Sequence, residues 1–243
     1  MLKVENLSKT FFIPHEKRLY IKDHLVNLFS RIRYEKFDAL NNVSFQVESG
    51  QWLGIIGDNG AGKSTLLKIL AGIYLPDTGK IEVSGKTIPF LELGVGFQPE
   101  LSARDNIYLN GLLLGLSKKE VSEKFNEIVE FAEIRPFIDQ KLKNYSSGMK
   151  VRLGFAVAIQ APASIFLIDE VLTVGDNAFQ QKSLKIFKNK LRDKTVILVS
   201  HDMDKIRENC QKVLWLENGH VKMVGEPNEV IDRYLLPINS KTI

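Results

Sequence analysis

Residues Gly57 to Thr65 read Gly57-Asp58-Asn59-Gly60-Ala61-Gly62-Lys63-Ser64-Thr65 and directly follow the apolar run Trp52, Leu53, Ile55 and Ile56. A glycine-rich turn closed by a lysine and a hydroxyl residue, fed by a strand and opening into Leu66, Leu67, Ile69 and Leu70 at helical spacing, fits a phosphate loop. Each residue type has a physical reason. Glycines let the backbone curl until successive amide N–H groups face phosphate oxygens, and the helix that starts near Lys63 aims its positive dipole end at the same place. Lys63 is expected to reach the β- and γ-phosphates and Ser64 to place its hydroxyl on Mg²⁺, which makes ATP with Mg²⁺ the expected ligand.

A phosphate loop needs a parallel sheet around it, and the chain supplies the strands. Ile165-Phe166-Leu167-Ile168 and Val196-Ile197-Leu198-Val199 are fully apolar, with a helical pattern from Phe179 to Leu191 between them, which predicts an α/β core with a parallel sheet. Other strands predict an antiparallel β-lobe beside it. Met1 to Phe12 reads as a strand and turn, and Val43, Phe45 and Val47 alternate within a half-buried strand from Ala39 to Glu48. Lys80 to Val83 and Ile88 to Leu91 bracket a turn at Ser84-Gly85 and are expected in the same lobe. After Gln98-Pro99 the pattern turns helical, and Ser117 with Glu120 stands at capping-box spacing ahead of Val121, Phe125, Ile128 and Phe131 on one helix face. A helical subdomain over 99–160 is therefore expected, and over 212–243 a hairpin turning at Asn218-Gly219 followed by a helix from about Pro227 to Leu235. All of this is expected within one domain spanning 1–243.

Residues 14–37 interrupt the pattern. Ile21, Leu25, Leu28, Phe29 and Ile32 recur at helical spacing, and Lys17, Arg18, Lys22, Arg31, Arg33 and Lys36 outnumber Glu16, Asp23 and Glu35. The reading is a basic amphipathic helix, either with an ordinary solvated face or resting on a membrane surface or a membrane partner. The single cysteine, Cys210, rules out an internal disulfide framework and points to an ordinary helix residue in a reducing compartment. No apolar run reaches the roughly 18 residues a bilayer span requires, and a cytoplasmic chain is expected. The net charge of +4 is modest for 243 residues and is no argument for nucleic acid.

Two further groups complete the candidate site. Asp169-Glu170 follows an apolar strand, where one carboxylate can hold Mg²⁺ and its neighbour can orient or deprotonate a water. His201, in Ser200-His201-Asp202, leaves the next strand at the same C-terminal sheet edge, where ligands of open α/β sheets bind.

With Asn144-Tyr145-Ser146-Ser147-Gly148-Met149-Lys150 upstream of that acidic pair, the whole chain resembles the ATPase subunits of ATP-binding cassette transporters. Residue by residue, the resemblance puts the phosphate loop on Gly57–Thr65, the signature on Tyr145–Met149 and the Mg²⁺-associated aspartate on Asp169. It puts the catalytic glutamate on Glu170, the dimer loop near Val174 to Asp176 and the switch histidine on His201. Tyr145, Ser147 and Met149 depart from the commonest signature, while Ser146 and Gly148 keep a hydroxyl and a close-approach glycine for the γ-phosphate. The family's glutamine-loop residue, which meets the metal, falls on Glu92 by position and on Gln98 by residue type. Its adenine-stacking aromatic falls on Phe11, with Phe37 competing.

The signature variant, its continuation Val151 to Ala156, the basic insertion, Leu91 to Phe97 and Asp105 to Gly111 are similar to those of bacterial exporters of O-antigen, capsule and teichoic acid. That resemblance implies an ATPase acting as a homodimer beneath two integral-membrane permease subunits. The cargo would be a lipid-linked polysaccharide, with the chain peripheral on the cytoplasmic face of the inner membrane. The rivals are another transporter class, a soluble cassette acting on nucleic acid or ribosomes, and a non-catalytic nucleotide-binding module. One uninterrupted cassette that carries both Glu170 and His201 favours the transporter, and no nucleic-acid partner is expected.

Overall fold

The computed structural model describes residues 1–14, 34–90, 94–169 and 177–236. Two sheets stack. The first has the order β2-β1-β4 and is antiparallel, built from β1 (Leu2–Pro14), β2 (Tyr34–Val47) and β4 (Thr78–Val83). The second has the order β5-β6-β7-β3-β8-β9, from β3 (Trp52–Ile56), β5 (Thr87–Pro89), β6 (Ile165–Asp169), β7 (Thr195–Val199), β8 (Lys212–Glu217) and β9 (His220–Gly225). All neighbours in it pair in parallel except β8 and β9, which form the hairpin turned at Asn218 and Gly219, both at positive φ.

The central strands read as unbroken apolar runs because both faces are covered. Leu53, Ile55, Ile165, Leu167, Ile197, Val199, Leu214 and Leu216 point into one cluster with the antiparallel sheet and α1 (Lys63–Leu70). Trp52, Ile56, Phe166, Ile168, Val196, Leu198 and Val213 point the other way, into a cluster with the helices. Those helices are α2 (Ala103–Leu113), α3 (Lys118–Ala132), α4 (Ser147–Ala158), α5 (Asn177–Lys190), α6 (Met203–Asn209) and α7 (Pro227–Leu235). The helical region shares its apolar core with the sheet: Phe155 of α4 lies 5.6 Å from Phe90 and 5.7 Å from Phe131, ring to ring. Each such phenylalanine contributes about 1.5–3 kcal/mol by leaving water. The capping box at Ser117 and Glu120 forms as the spacing predicts.

Two expectations are corrected. Thr87-Ile88-Pro89 does not join the antiparallel lobe: Gly85 turns the chain across to the large sheet, where Ile88 pairs in parallel with Phe166. The burial of Ile88 and Phe90 decides this, and Pro89, which has no N–H to give a ladder, is tolerated because β5 is an edge strand. Second, the end of the basic stretch is strand, since Tyr34, Glu35 and Lys36 face Pro14, Ile13 and Phe12 in the β1–β2 ladder. Aromatic and β-branched residues on both strands favour that extension. The rest of the stretch, 15–33, lies outside the described residues.

Candidate active site

Three strands of the large sheet, β3, β6 and β7, end side by side, and their C-terminal ends carry the phosphate loop, Asp169 and the Ser200-His201 step. This is the sheet edge where an α/β fold binds ligands. β3 stops at Ile56 because Gly57 takes φ +148°, and a Cβ there would lie 2.1 Å from the Leu216 carbonyl oxygen of β8. Gly60 follows at φ +82° with nothing near its missing Cβ.

Lys63 opens α1 with its side chain folded back into the loop, where Nζ donates to the carbonyl oxygens of Gly57 (2.7 Å) and Asp58 (2.9 Å). Only 7% of it is exposed. The residue that caps α1 is Gly62, which has no side chain to offer the first amide N–H groups of the helix. Uncapped helix N–H groups beside a buried ammonium fit an anion, and phosphate groups in particular. Ser64 donates its hydroxyl to Asp169 Oδ2 at 3.3 Å, which brings together two hard oxygen ligands of the kind Mg²⁺ takes.

These groups line one cleft of about 480 Å³ bounded by Phe37, Asn59, Gly60, Gly62, Lys63, Ser64, Thr65, Asp169, Val199 and His201. An apolar recess of about 420 Å³ adjoins it, lined by Phe11, Phe12, Ile13, Phe37, Ser64, Thr65, Lys68 and Tyr74. Phe37, Ser64 and Thr65 belong to both. Phe11 and Phe37 are cross-strand partners, so both aromatics named from the sequence sit at this recess. Phe11 leans its edge on Tyr74 at 5.5 Å, and 46% of Phe37 is exposed where the two spaces meet.

The signature sits elsewhere. Ser146 caps α4, accepting a hydrogen bond from the Met149 amide at 3.2 Å, and Gly148 lies in the first turn. Ser146 is exposed, and neither it nor Gly148 lines the cleft of its own chain. Tyr145, one of the departures from the usual signature, is buried, and its hydroxyl donates to the Phe137 carbonyl at 2.8 Å. Burial pushes its pKa up to about 12, so it stays a neutral donor and pins the start of α4 to the turn Arg135–Phe137.

Lys63, Ser64, Asp169 and His201 thus line one cleft, and some other candidates do not. Gln98, the alternative to Glu92 as a metal ligand, is exposed and does not line the cleft of its own chain. Its backbone is held by the fully buried Asn106, which accepts from the Gln98 amide (2.7 Å) and donates to its carbonyl (3.0 Å). Glu170, Glu92 and the segment Val174 to Asp176 lie outside the described residues. Sequence reasoning missed Tyr234, whose hydroxyl donates to Asp58 of the loop at 2.9 Å. No local pattern could have found a contact across 176 positions.

Comparison with known proteins agrees with this geometry. The model of the family described as "ABC transporter" matches residues 40–173. The chain is 41% identical to the O-antigen export system ATP-binding protein RfbB of Klebsiella pneumoniae, covering 96% of this chain and 97% of that one. It is 44% identical to the teichoic acids export ATP-binding protein TagH of Lactococcus lactis over 96% of this chain, spanning half of that relative's length. Among solved structures it resembles the dimeric cassette MJ0796 in a post-hydrolysis state bound to ADP and Pi, with a TM-score of 0.71 at 22% identity over 93% of this chain and 99% of that one. A phosphate loop, a strand-end aspartate and a histidine on one sheet edge, together with the matched family model, show that the chain belongs to the ABC transporter family.

Proposed function

We propose that the chain is the ATP-hydrolysing subunit of a bacterial exporter that moves a lipid-linked cell-surface polysaccharide (O-antigen, capsule or teichoic acid) across the plasma membrane. One observation carries the catalytic half: Lys63, Ser64, Asp169 and His201 converge on a single cleft. The names of the relatives, which share 41–44% identity with the chain, support the cargo class.

ATP would lie with its phosphates over Gly57 to Thr65, where the loop amides and the Lys63 ammonium offset their charge. Ser64 and Asp169 are the residues to hold Mg²⁺, which when bound would neutralise charge building on the terminal phosphates. Glu92, with Gln98 as its alternative, is the candidate third ligand. The base of the recess at Phe11 and Phe37 suits an adenine ring, with the more open Phe37 at the junction to the phosphates. Glu170 takes the proton of the attacking water as its oxygen bonds to the γ-phosphorus, the bridging oxygen leaves with ADP, and His201 steadies the γ-phosphate.

Ser146 is exposed and neither it nor Gly148 lines its own cleft, which suits a two-fold pair in which each signature completes the partner's site. The dimeric state of MJ0796 supports the same arrangement. Among the described residues no helix is long and apolar enough to cross a membrane. In the proposed assembly two permease subunits supply the path for the polymer, with the cassettes peripheral on the cytoplasmic face.

The test uses two variants. Lys63→Ala should lose ATP hydrolysis, whereas Glu170→Gln keeps shape and hydrogen bonding without the base and should trap ATP in an accumulating dimer. Parental hydrolysis by Lys63→Ala would refute the site. Normal surface polysaccharide in cells whose only copy is Glu170→Gln would refute export.

A further inference from the structure

The C-terminal helix α7 touches both sides of the catalytic edge. Val230 and Ile231, each 0% exposed, seat it on the core. Tyr234 stands edge-on to Trp215 of β8 with ring centroids 5.5 Å apart, and its Oη donates to Asp58 Oδ1 at 2.9 Å. On the opposite side of the helix, Arg207 of α6 donates through Nη1 to Asn228 Oδ1 (2.6 Å) and through Nη2 to Asp232 Oδ1 (2.5 Å). α6 begins two residues after His201, with Asp202 as its cap. The helix therefore ties the phosphate loop to the element that issues from the histidine step.

Asp58 is an awkward residue to find in a loop that receives a polyanion, because a carboxylate near triphosphate raises its free energy by like-charge repulsion. Its side chain is not among those lining the cleft, although Asn59 and Gly60, the next two residues, are. The bond from Tyr234 is what holds it on the far side of the loop, against β8 and α7. The Asp58 carbonyl meanwhile accepts from Lys63 Nζ, so the residue that Tyr234 restrains is bonded to the ammonium that meets the phosphates. Burial, and then the bond to Asp58, raise the pKa of the Tyr234 hydroxyl, which favours its protonated, donating form.

We infer that Tyr234 is a positioning residue of the nucleotide site: its hydroxyl holds the Asp58 carboxylate away from bound phosphate and fixes the entry of the phosphate loop to α7. The inference rests on the loop being the ATP site. It gives Tyr234 an effect on affinity rather than on the chemical step, and an electrostatic one.

The experiment measures binding of the fluorescent analogue mant-ATP with Mg²⁺, and the kcat and KM of hydrolysis, for the full chain and for Tyr234→Phe, Asp58→Asn and the double variant. Binding is repeated at about 50 mM and about 500 mM salt, where screening lengths differ severalfold. Tyr234→Phe removes one oxygen and keeps the ring on Trp215, and thermal melting shows whether it folds like the parent. The expected result is a Kd and KM raised about fivefold at low salt, a kcat within about twofold, a smaller loss at high salt, and almost no effect of Tyr234→Phe in the Asp58→Asn background. A loss of the same size in that background and at high salt would make Tyr234 merely structural and overturn the inference. Equal Kd for parent and Tyr234→Phe overturns it as well while leaving the ATP site standing, and a parent chain that binds no mant-ATP overturns both.

Discussion

Gly57→Ala should damage the protein far more than Gly60→Ala, although both glycines belong to the same loop and both sit at positive φ. At Gly57 the added methyl would lie 2.1 Å from the Leu216 carbonyl oxygen, at φ +148°. That oxygen is main chain of β8, whose neighbour Trp215 pairs in register with Ile56, so relief means opening the sheet by about 1 Å rather than turning a side chain. A sparsely allowed backbone costs about 1–3 kcal/mol and the overpacking about 1–3 more, giving about 4 kcal/mol in all. At Gly60, φ is +82° and nothing lies within 4 Å, which leaves only the left-handed backbone cost of about 1–2 kcal/mol. At about 2–4 °C per kcal/mol for a chain of this size, the melting midpoint should fall by roughly 8–16 °C for Gly57→Ala and by a few degrees for Gly60→Ala. Urea unfolding followed by tryptophan fluorescence is well placed, because Trp52 opens β3 and Trp215 borders the strained carbonyl. Equal destabilisation of the two variants would refute the steric reasoning, and loss of less than about 0.5 kcal/mol at Gly57 would refute the geometry itself.

Phe155→Ala removes the ring shared by Phe90, Phe131 and Phe179 and should cost about 3–5 kcal/mol in chemical denaturation, through the burial lost and the cavity left behind. Cys210 is buried with its thiol pushed up to about 12, so it should resist a thiol reagent in the native state and react at once in urea; rapid native labelling would contradict that burial. Asp202 has its carboxyl held below the usual range, first by the Lys205 amide (3.1 Å) and then, against some desolvation, by the Lys205 ammonium. Because its folded pKa is depressed, its contribution is present above the unfolded value of about 3.9 and lost as pH falls through the folded value. The stability gap between parent and Asp202→Asn should therefore close on acidification, and a gap that widens there would reverse the sign.

Elements were legible wherever a local rule sufficed. Val196 to Val199 could be read as a doubly covered strand from four apolar residues, Ser117 and Glu120 as a cap from their spacing, and the phosphate loop from its glycines and lysine. Sheet membership was less legible, because pairing is decided by partners far off in the chain. Thr87-Ile88-Pro89 has nothing in itself that prefers Phe166 over Val4, and only the burial of Ile88 and Phe90 against the large sheet settles it. The side chains that hold the site in place were least legible of all. Asn106 looks like any polar residue on an amphipathic helix, yet it is fully buried because its amide serves the carbonyls of Gln98, Leu101 and Ser102 while accepting from the Gln98 amide. Such a residue is chosen by a loop's unpaired backbone groups, which exist only once the loop is folded.

The two halves of the catalytic apparatus are anchored by different kinds of contact, and that difference bears on how ATP can move the molecule. The phosphate loop grows from strands buried on both faces and locked by ladder hydrogen bonds to β7 and β8, so its position follows the sheet. The signature end rides on α4, which packs on the sheet through the apolar cluster around Phe155 and is tied at its flanks by polar side chains. Tyr145 reaches Phe137, and Arg152 pairs with Glu133 at 2.8 Å while lying over Phe179, with the other oxygen of Glu133 held by Lys182 of α5 at 3.0 Å. Half-exposed ion pairs of this kind are worth at most about 1 kcal/mol each. Re-angling α4 against the sheet thus disturbs these polar contacts and slides side chains within a packed core without breaking a ladder hydrogen bond, whereas moving the loop would break a ladder. A ligand shifts a conformational equilibrium only by its differential affinity for the two states, and in the proposed two-fold pair a triphosphate held by one chain's loop and a partner's Ser146 would supply such a difference. The economical motion is closure of the signature half onto a stationary phosphate half.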